Sequence, residues 1–168
     1  SLRMGDGVDT LTVNGAGQVR LDFRDATEGV EIDLAARTIA EDGFSNTETI
    51  GGTTSVFEVQ GSEFDDMFLG AAGNNSYRYV GGNNNLDGGD GFDRLRYDRG
   101  TVAAVNINAE AGTATGTLIA GGSFTDMIAG FERLRGSNGD DTIRGTAVDE
   151  LLEGRGGADS FVYTGGND

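Results

Sequence analysis

A chain of 168 residues is long enough for one ordinary domain or a short repeat array, but 36% hydrophobic residues and 30 glycines suit a thin stacked structure better than a globule around one large core. A net charge of −16, from 28 acidic residues against 12 arginines and no lysine, disfavours nucleic acid and anionic membranes as partners and makes divalent cations the natural counter-charge. The absence of cysteine and histidine excludes disulfides, thiolate zinc sites and the commonest transition-metal ligand, which leaves the oxygen chemistry that calcium prefers.

Such a glycine content without period would mean disorder, yet there is no proline and Leu, Ile, Phe and Val recur at regular places. No apolar run approaches the roughly 20 residues of a membrane span, and no signal-peptide pattern opens the chain. The chain starts beside one repeat and stops inside another, at Gly165-Gly166-Asn167-Asp168, as an excerpt of a longer protein would.

The first unit is Gly5-Asp6-Gly7-Val8-Asp9-Thr10-Leu11-Thr12, with Asp9 in the sixth place and Leu11 in the apolar place. In the weaker unit that follows, Gly15, Gly17 and Leu21 keep the pattern while Val19 replaces the aspartate, which predicts a metal-free turn. Residues 1–21 therefore read as the end of a repeat block. Residues 22–60 drop the nine-residue period: Val30, Ile32 and Leu34 alternate with Glu31 and Asp33, the two-residue period of a half-buried strand. A polar loop over 41–47 and a second apolar stretch through Ile50, Val56, Phe57 and Val59 complete an irregular β segment, expected as larger β-coils or a hairpin-like insertion on the same stack.

Residues 61–96 are four consecutive nine-residue units beginning at Gly61, Gly70, Tyr79 and Gly88. The last, Gly88-Gly89-Asp90-Gly91-Phe92-Asp93-Arg94-Leu95-Arg96, matches the nonapeptide G-G-x-G-x-D-x-U-x of calcium-binding β-helix repeats, U being a large apolar residue. After a second irregular segment over 97–135, a second block occupies 136–168 and is cut short in its fourth unit. The two blocks and their preceding segments share one offset of 75 residues, as in Val30 with Val105 and Gly61 with Gly136. The apolar places are Phe68, Tyr77, Leu86 and Leu95 in one block and Ile143, Leu152 and Phe161 in the other, one per unit, which predicts a narrow core.

Six loop residues and three strand residues make half of a flattened coil, so units two apart share an edge and sixth-place residues 18 apart face each other. The predicted pairs are Asp66 with Asn84, Asn75 with Asp93, Asp141 with Asp159 and Glu150 with Asp168. Each would offer a hard cation two side-chain oxygens plus backbone carbonyls, and glycine lets those carbonyls converge. The all-carboxylate pair Asp141 with Asp159 should bind best and the Asn-containing pairs less well. The longer Glu150, with Val148 in place of a loop glycine, makes the last pair the weakest candidate.

These contiguous, in-phase units resemble the RTX (repeats-in-toxin, haemolysin-type) calcium-binding family. The resemblance implies an all-β, right-handed parallel β-roll or β-helix-like solenoid with larger irregular β segments between blocks, from a large bacterial protein exported by the type I pathway. It also implies a six-residue turn that binds calcium through its aspartate and backbone carbonyls. Carried over residue by residue, the ligands are Gly61, Glu63 and Asp66 against Val80, Gly82 and Asn84, and Gly70, Ala72 and Asn75 against Gly89, Gly91 and Asp93. In the second block they are Gly136, Asn138 and Asp141 against Arg155, Gly157 and Asp159. Phe64, Asn75, Asn84, Val148 and Glu150 depart from the family pattern.

Gly, Asp and Asn also dominate metal-free turns, but series of loops in phase with apolar eighth places favour calcium. The acid pairs Asp65-Asp66, Asp140-Asp141 and Asp149-Glu150 read as one ligand and one outward neighbour rather than as catalytic pairs. Asn83-Asn84-Asn85 reads equally as a side-chain ladder or as loop filler. The arginines at 94, 96, 133, 135 and 144 read as counter-charges. With no nucleophile and base constellation, the expectation is a non-catalytic, monomeric calcium module of a secreted protein that folds on binding calcium after export. The alternatives are an adhesin segment meeting extracellular polysaccharide or protein, and the calcium module of a secreted hydrolase, protease or uronan epimerase whose catalysis lies elsewhere.

Overall fold

The computed structural model describes residues 1–14, 18–52 and 56–166; Gly15, Gly17 and Asp168 lie outside the described residues. Within them the protein is all β, with eighteen strands and no helix, and so no helix long and apolar enough to cross a membrane. β1 (Leu2–Arg3), β2 (Thr10–Val13) and β3 (Val19–Asp22) open the chain, and the first irregular segment supplies β4 (Glu31–Asp33), β5 (Thr38–Glu41), β6 (Glu48–Gly52) and β7 (Val56–Gln60). The first nonapeptide block supplies β8 (Met67–Leu69), β9 (Ser76–Arg78), β10 (Asn85–Asp87) and β11 (Arg94–Arg96). The second irregular segment supplies β12 (Val102–Asn108), β13 (Thr113–Leu118), β14 (Ser123–Ala129) and β15 (Arg133–Arg135), and the second block β16 (Thr142–Arg144), β17 (Leu151–Glu153) and β18 (Ser160–Val162).

Each block strand has only three residues, so its central apolar side chain turns inward and its neighbours outward. Consecutive units alternate between two sheets. A seven-stranded sheet runs β1-β3-β7-β9-β11-β15-β17, all pairs parallel. An eleven-stranded sheet runs β18-β16-β12-β13-β14-β10-β8-β4-β5-β6-β2. Within the blocks the register advances by 18 residues: Phe68 pairs with Leu86, Tyr77 with Leu95 and Ile143 with Phe161.

The irregular segments are antiparallel meanders in the larger sheet, β4-β5-β6 and β12-β13-β14, each entering parallel to a block strand through Ile32 with Phe68 and Ile107 with Ile143. Both rejoin the stack parallel to a strand of the preceding block, Thr49 with Thr10 and Met127 with Asn85. The longer pairing of β13 with β14 is closed by the tight turn at Gly121 and Gly122, both at positive φ (+92 and +96), where a side chain is strained.

The core lies between the sheets. Ile32, Ile39, Phe68, Leu86, Ile107 and Ile143 of the larger sheet meet Leu21, Val59, Tyr77, Leu95 and Leu134 of the smaller one, all buried. Burying a side chain of this size contributes about 1.5–3 kcal/mol. Phe68 meets Tyr77 at 5.3 Å between ring centroids, and Tyr79, Tyr97 and Phe124 form a second aromatic group at 4.3–5.6 Å.

Candidate metal-binding loops

The sixth-place side chains do meet their neighbours 18 residues on, and the contact is specific: each stacked side-chain oxygen accepts the backbone N–H of the sixth-place residue beneath it. The Asp66 amide donates to Asn84 Oδ1 at 2.9 Å, the Asn75 amide to Asp93 Oδ1 at 2.6 Å, and the Asp141 amide to Asp159 Oδ1 at 3.0 Å. Three ladders of backbone amides and side-chain oxygens result, two beside the larger sheet and one beside the smaller.

The ladders continue through residues outside the nonapeptide phase. The Asn84 amide donates to Asp126 Oδ1 at 2.7 Å and the Asp93 amide to Glu132 Oε2 at 2.8 Å. Asp66 and Asp141 in turn accept the amides of Val30 (3.0 Å) and Val105 (2.8 Å). Asp126 and Glu132 escaped the nonapeptide match because the glycines before them are incomplete: Phe124 takes the fourth place before Asp126, and Gly130 alone precedes Glu132 in its unit. Their signal is the trailing half of the unit, an acid followed at the second place by an apolar residue, as in Asp126-Met127-Ile128 and Glu132-Arg133-Leu134.

The fifth-place residues form an outer ladder. Asp65 Oδ1 accepts the Asn83 amide at 2.7 Å, Asn83 Oδ1 the Thr125 amide at 2.9 Å, and Asp140 Oδ1 the Ala158 amide at 2.7 Å. Of the Asn83-Asn84-Asn85 run, the first two side chains are therefore ladder members.

The loops stack at contact distance. Gly81 lies on Glu63, Gly82 on Phe64, Gly70 on Gly88, Gly91 on Gly73, Gly156 on Asn138 and Gly157 on Gly139. Gly61, Ala72, Val80, Gly89, Gly136 and Arg155 belong to these same stacked loops. Arg155 takes φ +85, the value of Gly89 at the corresponding place, which is costly for a residue with a Cβ.

The carboxylates differ in what their oxygens already hold. Asp66 is buried and accepts the Ser62 amide (2.9 Å), the Ser62 hydroxyl (2.5 Å), the Tyr77 hydroxyl (2.6 Å) and the Val30 amide. Burial raises its pKa in spite of these donors. Asp141 is held likewise by the Ser137 amide (2.6 Å) and hydroxyl (2.8 Å), and Glu150 by the Thr146 amide and hydroxyl. Asp126 takes the Tyr97 hydroxyl at 2.7 Å and is pushed by burial up to about 7.

Asp93 is the exception. It is 0% exposed, its Oδ1 takes the Asn75 amide, and its Oδ2 has no hydrogen-bond partner. Burial, with Glu132, Asp87 and Asp90 nearby, pushes it up to about 6. A Cβ on Gly91 would stand 3.2 Å from that free oxygen, so glycine keeps the space beside it open. Nothing among the described residues donates to Asp159 Oδ2 either. Among the described residues no three acidic side chains converge on one point, so an ion here would rest on two side chains and loop carbonyls. Calcium fits Asp93 on these grounds; Asp159 is only half-buried, and at Asp66 and Asp141 an ion competes with N–H and O–H donors already in place.

Glu48 is the ladder neighbour of Asp9. It is 2% exposed, and neither Oε has a hydrogen bond of ordinary geometry, although the Asp9 amide and the Asp42 carboxyl lie close enough to act on its charge. Burial, then Asp42, pushes Glu48 up to about 7. Asp42 stays low despite its own burial because the Phe44 and Asn46 amides donate to its Oδ1 at 2.8 and 3.0 Å.

These shifts fix a pH dependence for the metal-free protein. Between about pH 5 and 8, Glu48, Asp126 and Asp93 hold protons in the fold that the unfolded chain releases at about pH 4, so stability falls as pH rises. Below about pH 4 the groups held low, Glu153 at about 2 by Arg133 and Arg135 and Asp98 by Arg96, lose their ion pairs, and stability falls again. The melting midpoint in chelator should peak near pH 5, and Glu48→Gln should raise stability at about pH 8 by about 2 kcal/mol. Circular dichroism melts across this range would sink the assignment if the variant kept the wild-type alkaline slope.

No protein-family model and no curated protein sequence matches the chain.

Proposed function

We propose that this chain is a calcium-binding structural module of RTX type, a parallel β-roll stabilised by ions between stacked turns, from a protein exported to the extracellular space. The observation that carries the reading is the Asp93 carboxylate: fully buried, one oxygen engaged by the next loop and the other without a donor beside a glycine that leaves it room. A buried carboxylate oxygen in that state calls for a proton or a cation.

Asp93 and Asn75 with the carbonyls of their loops would hold one ion; a second, between Asp141 and Asp159, would have to displace the Ser137 donors from Asp141. Calcium would supply positive charge to a stack of buried acids and so lower the cost of ionising them. Its oxygen-only ligand preference suits a chain without histidine or cysteine. Loose in the low-calcium cytosol and ordered outside, the module would couple folding to export. Calorimetric titration of the metal-free chain tests this: binding in the range of about 10⁻⁴–10⁻³ M is expected, with Asp93→Asn removing or weakening one site. A wild-type isotherm without calcium heat, together with an unchanged melting curve, would refute the reading.

A further inference from the structure

The outer face of the smaller sheet carries a charge pattern opposite to that of the molecule. The inward turn of Tyr77, Leu95 and Leu134 points the flanking arginines of β9, β11 and β15 outward. Arg78, Arg96 and Arg135 lie in register on adjacent strands, and Arg94 pairs with Arg133 in a second row. Neighbouring strands are about 4.8 Å apart, so five guanidinium groups share a small flat grid.

With Arg20 at one end and Arg155 at the other, seven arginines share three carboxylates: Glu58, Asp98 and Glu153. Four positive charges are left over on a chain of net charge −16. Like charges opposite each other destabilise a sheet, so stability alone does not select this grid. Donors are also left over. Arg78 donates through Nε alone, and Arg155 reaches Asp98 through Nη1 alone, 3.5 Å from both its carbonyl oxygen and its carboxylate. Arg155, whose backbone takes the left-handed φ of +85, borders a shallow depression with Arg135, Asn138, Glu153 and Gly156.

We propose that this arginine strip docks an acidic polysaccharide, its guanidinium groups gripping the anionic group of successive sugar units. Guanidinium matches carboxylate and sulfate geometry with paired N–H donors, and a repeating polymer suits a repeating grid. Nucleic acid fits less well. Its charge density, about one phosphate per 1.7 Å, meets strong repulsion from the rest of the chain, and the strip presents no aromatic ring for base stacking. A second copy brings its own −16. The inference does not rest on the calcium reading, since six of the seven arginines stand on strands and Arg155 alone belongs to a stacked loop.

The test is binding of the whole chain, in calcium, to polygalacturonate, dextran sulfate, neutral dextran and duplex DNA by surface plasmon resonance. The expected result is salt-sensitive binding to polygalacturonate and none to dextran; matching affinity for dextran sulfate supports the shared anionic chemistry, and its absence narrows the strip to carboxylates. Arg155→Gly restores the residue type found at the same φ in Gly89, so it removes charge without threatening the fold. Combined with Arg78→Gln it should weaken binding about tenfold or more, while Arg144→Gln, on the larger sheet and paired with Glu110, should leave it unchanged. Equal binding to dextran, tighter binding to DNA, calcium-dependent self-association without polymer, or full affinity in the double variant would each overturn the proposal.

Discussion

Withdrawing calcium from the loaded protein with a chelator is expected to lower its melting midpoint by about 10–20 °C, or to abolish the cooperative transition. A ligand present at a hundred times its dissociation constant contributes about 2.7 kcal/mol per site, and two or more occupied sites therefore rival the whole stability of an ordinary domain, about 5–15 kcal/mol. For a chain of this size each kcal/mol moves the midpoint by about 2–4 °C. What makes the loss severe is what the ions leave behind. Asp66, Asp93, Asp126, Asp141, Glu48 and Glu150 are buried acids within one thin stack, and their mutual repulsion in a low dielectric has only protons to relieve it. The β-signal and the melting curve, followed against free calcium, decide the matter: a midpoint that stays put across the millimolar range would refute it.

The second large effect belongs to the backbone. Gly70→Val is expected to destabilise the protein by about 3 kcal/mol or more, because the added Cβ runs into the carbonyl of Gly88, one turn up the stack. Neither partner can retreat. The Gly70 amide donates to the Asp87 carbonyl at 2.8 Å and the Gly88 amide to the Ala129 carbonyl at 2.9 Å, so opening the gap breaks pairing on both sides of β10. Gly73→Ala, in the same loop but with open space where its Cβ would stand, should fall within about 0.5 kcal/mol of wild type. Urea unfolding of the two variants separates a stacked loop from a merely glycine-rich one, and equal losses would count against the stacking.

Much of this architecture is legible before any coordinate is known. The apolar eighth places announce their burial, and Phe68, Tyr77, Leu86, Leu95 and Ile143 are all core residues. Phe161 is 51% exposed because β18 is an edge strand that nothing covers among the described residues. The spacing of 18 gives the contacts of Asp66 with Asn84, Asn75 with Asp93 and Asp141 with Asp159, since a strict period leaves the chain one way to stack.

The ladder partners across the meanders are not legible in this way. Asp126 sits 42 residues after Asn84 and Glu132 sits 39 after Asp93, distances set by how far each hairpin extends rather than by any repeat. Nor does a nonapeptide pattern announce that donors fill the Asp66 carboxylate, because Ser62 stands in a glycine place of its unit and Tyr77 in the apolar place of the next. The arginines read as simple counter-charges do form ion pairs, but register gathers four of the five into one strip and sends Arg144 to the other sheet.

The hydroxyl–carboxylate pairs of Tyr77 with Asp66 and Tyr97 with Asp126 also give the molecule an optical voice. With no tryptophan and four tyrosines, its near-ultraviolet emission is dominated by tyrosine, and half of those rings hand a hydrogen bond to a buried carboxylate. An excited phenol is a far stronger acid than one at rest, and a carboxylate waiting at 2.6–2.7 Å is a ready proton acceptor, so these two rings are dimmed while the stack is closed. Light from the chain thus reports, without a label, whether its acids still face the phenols they were folded against.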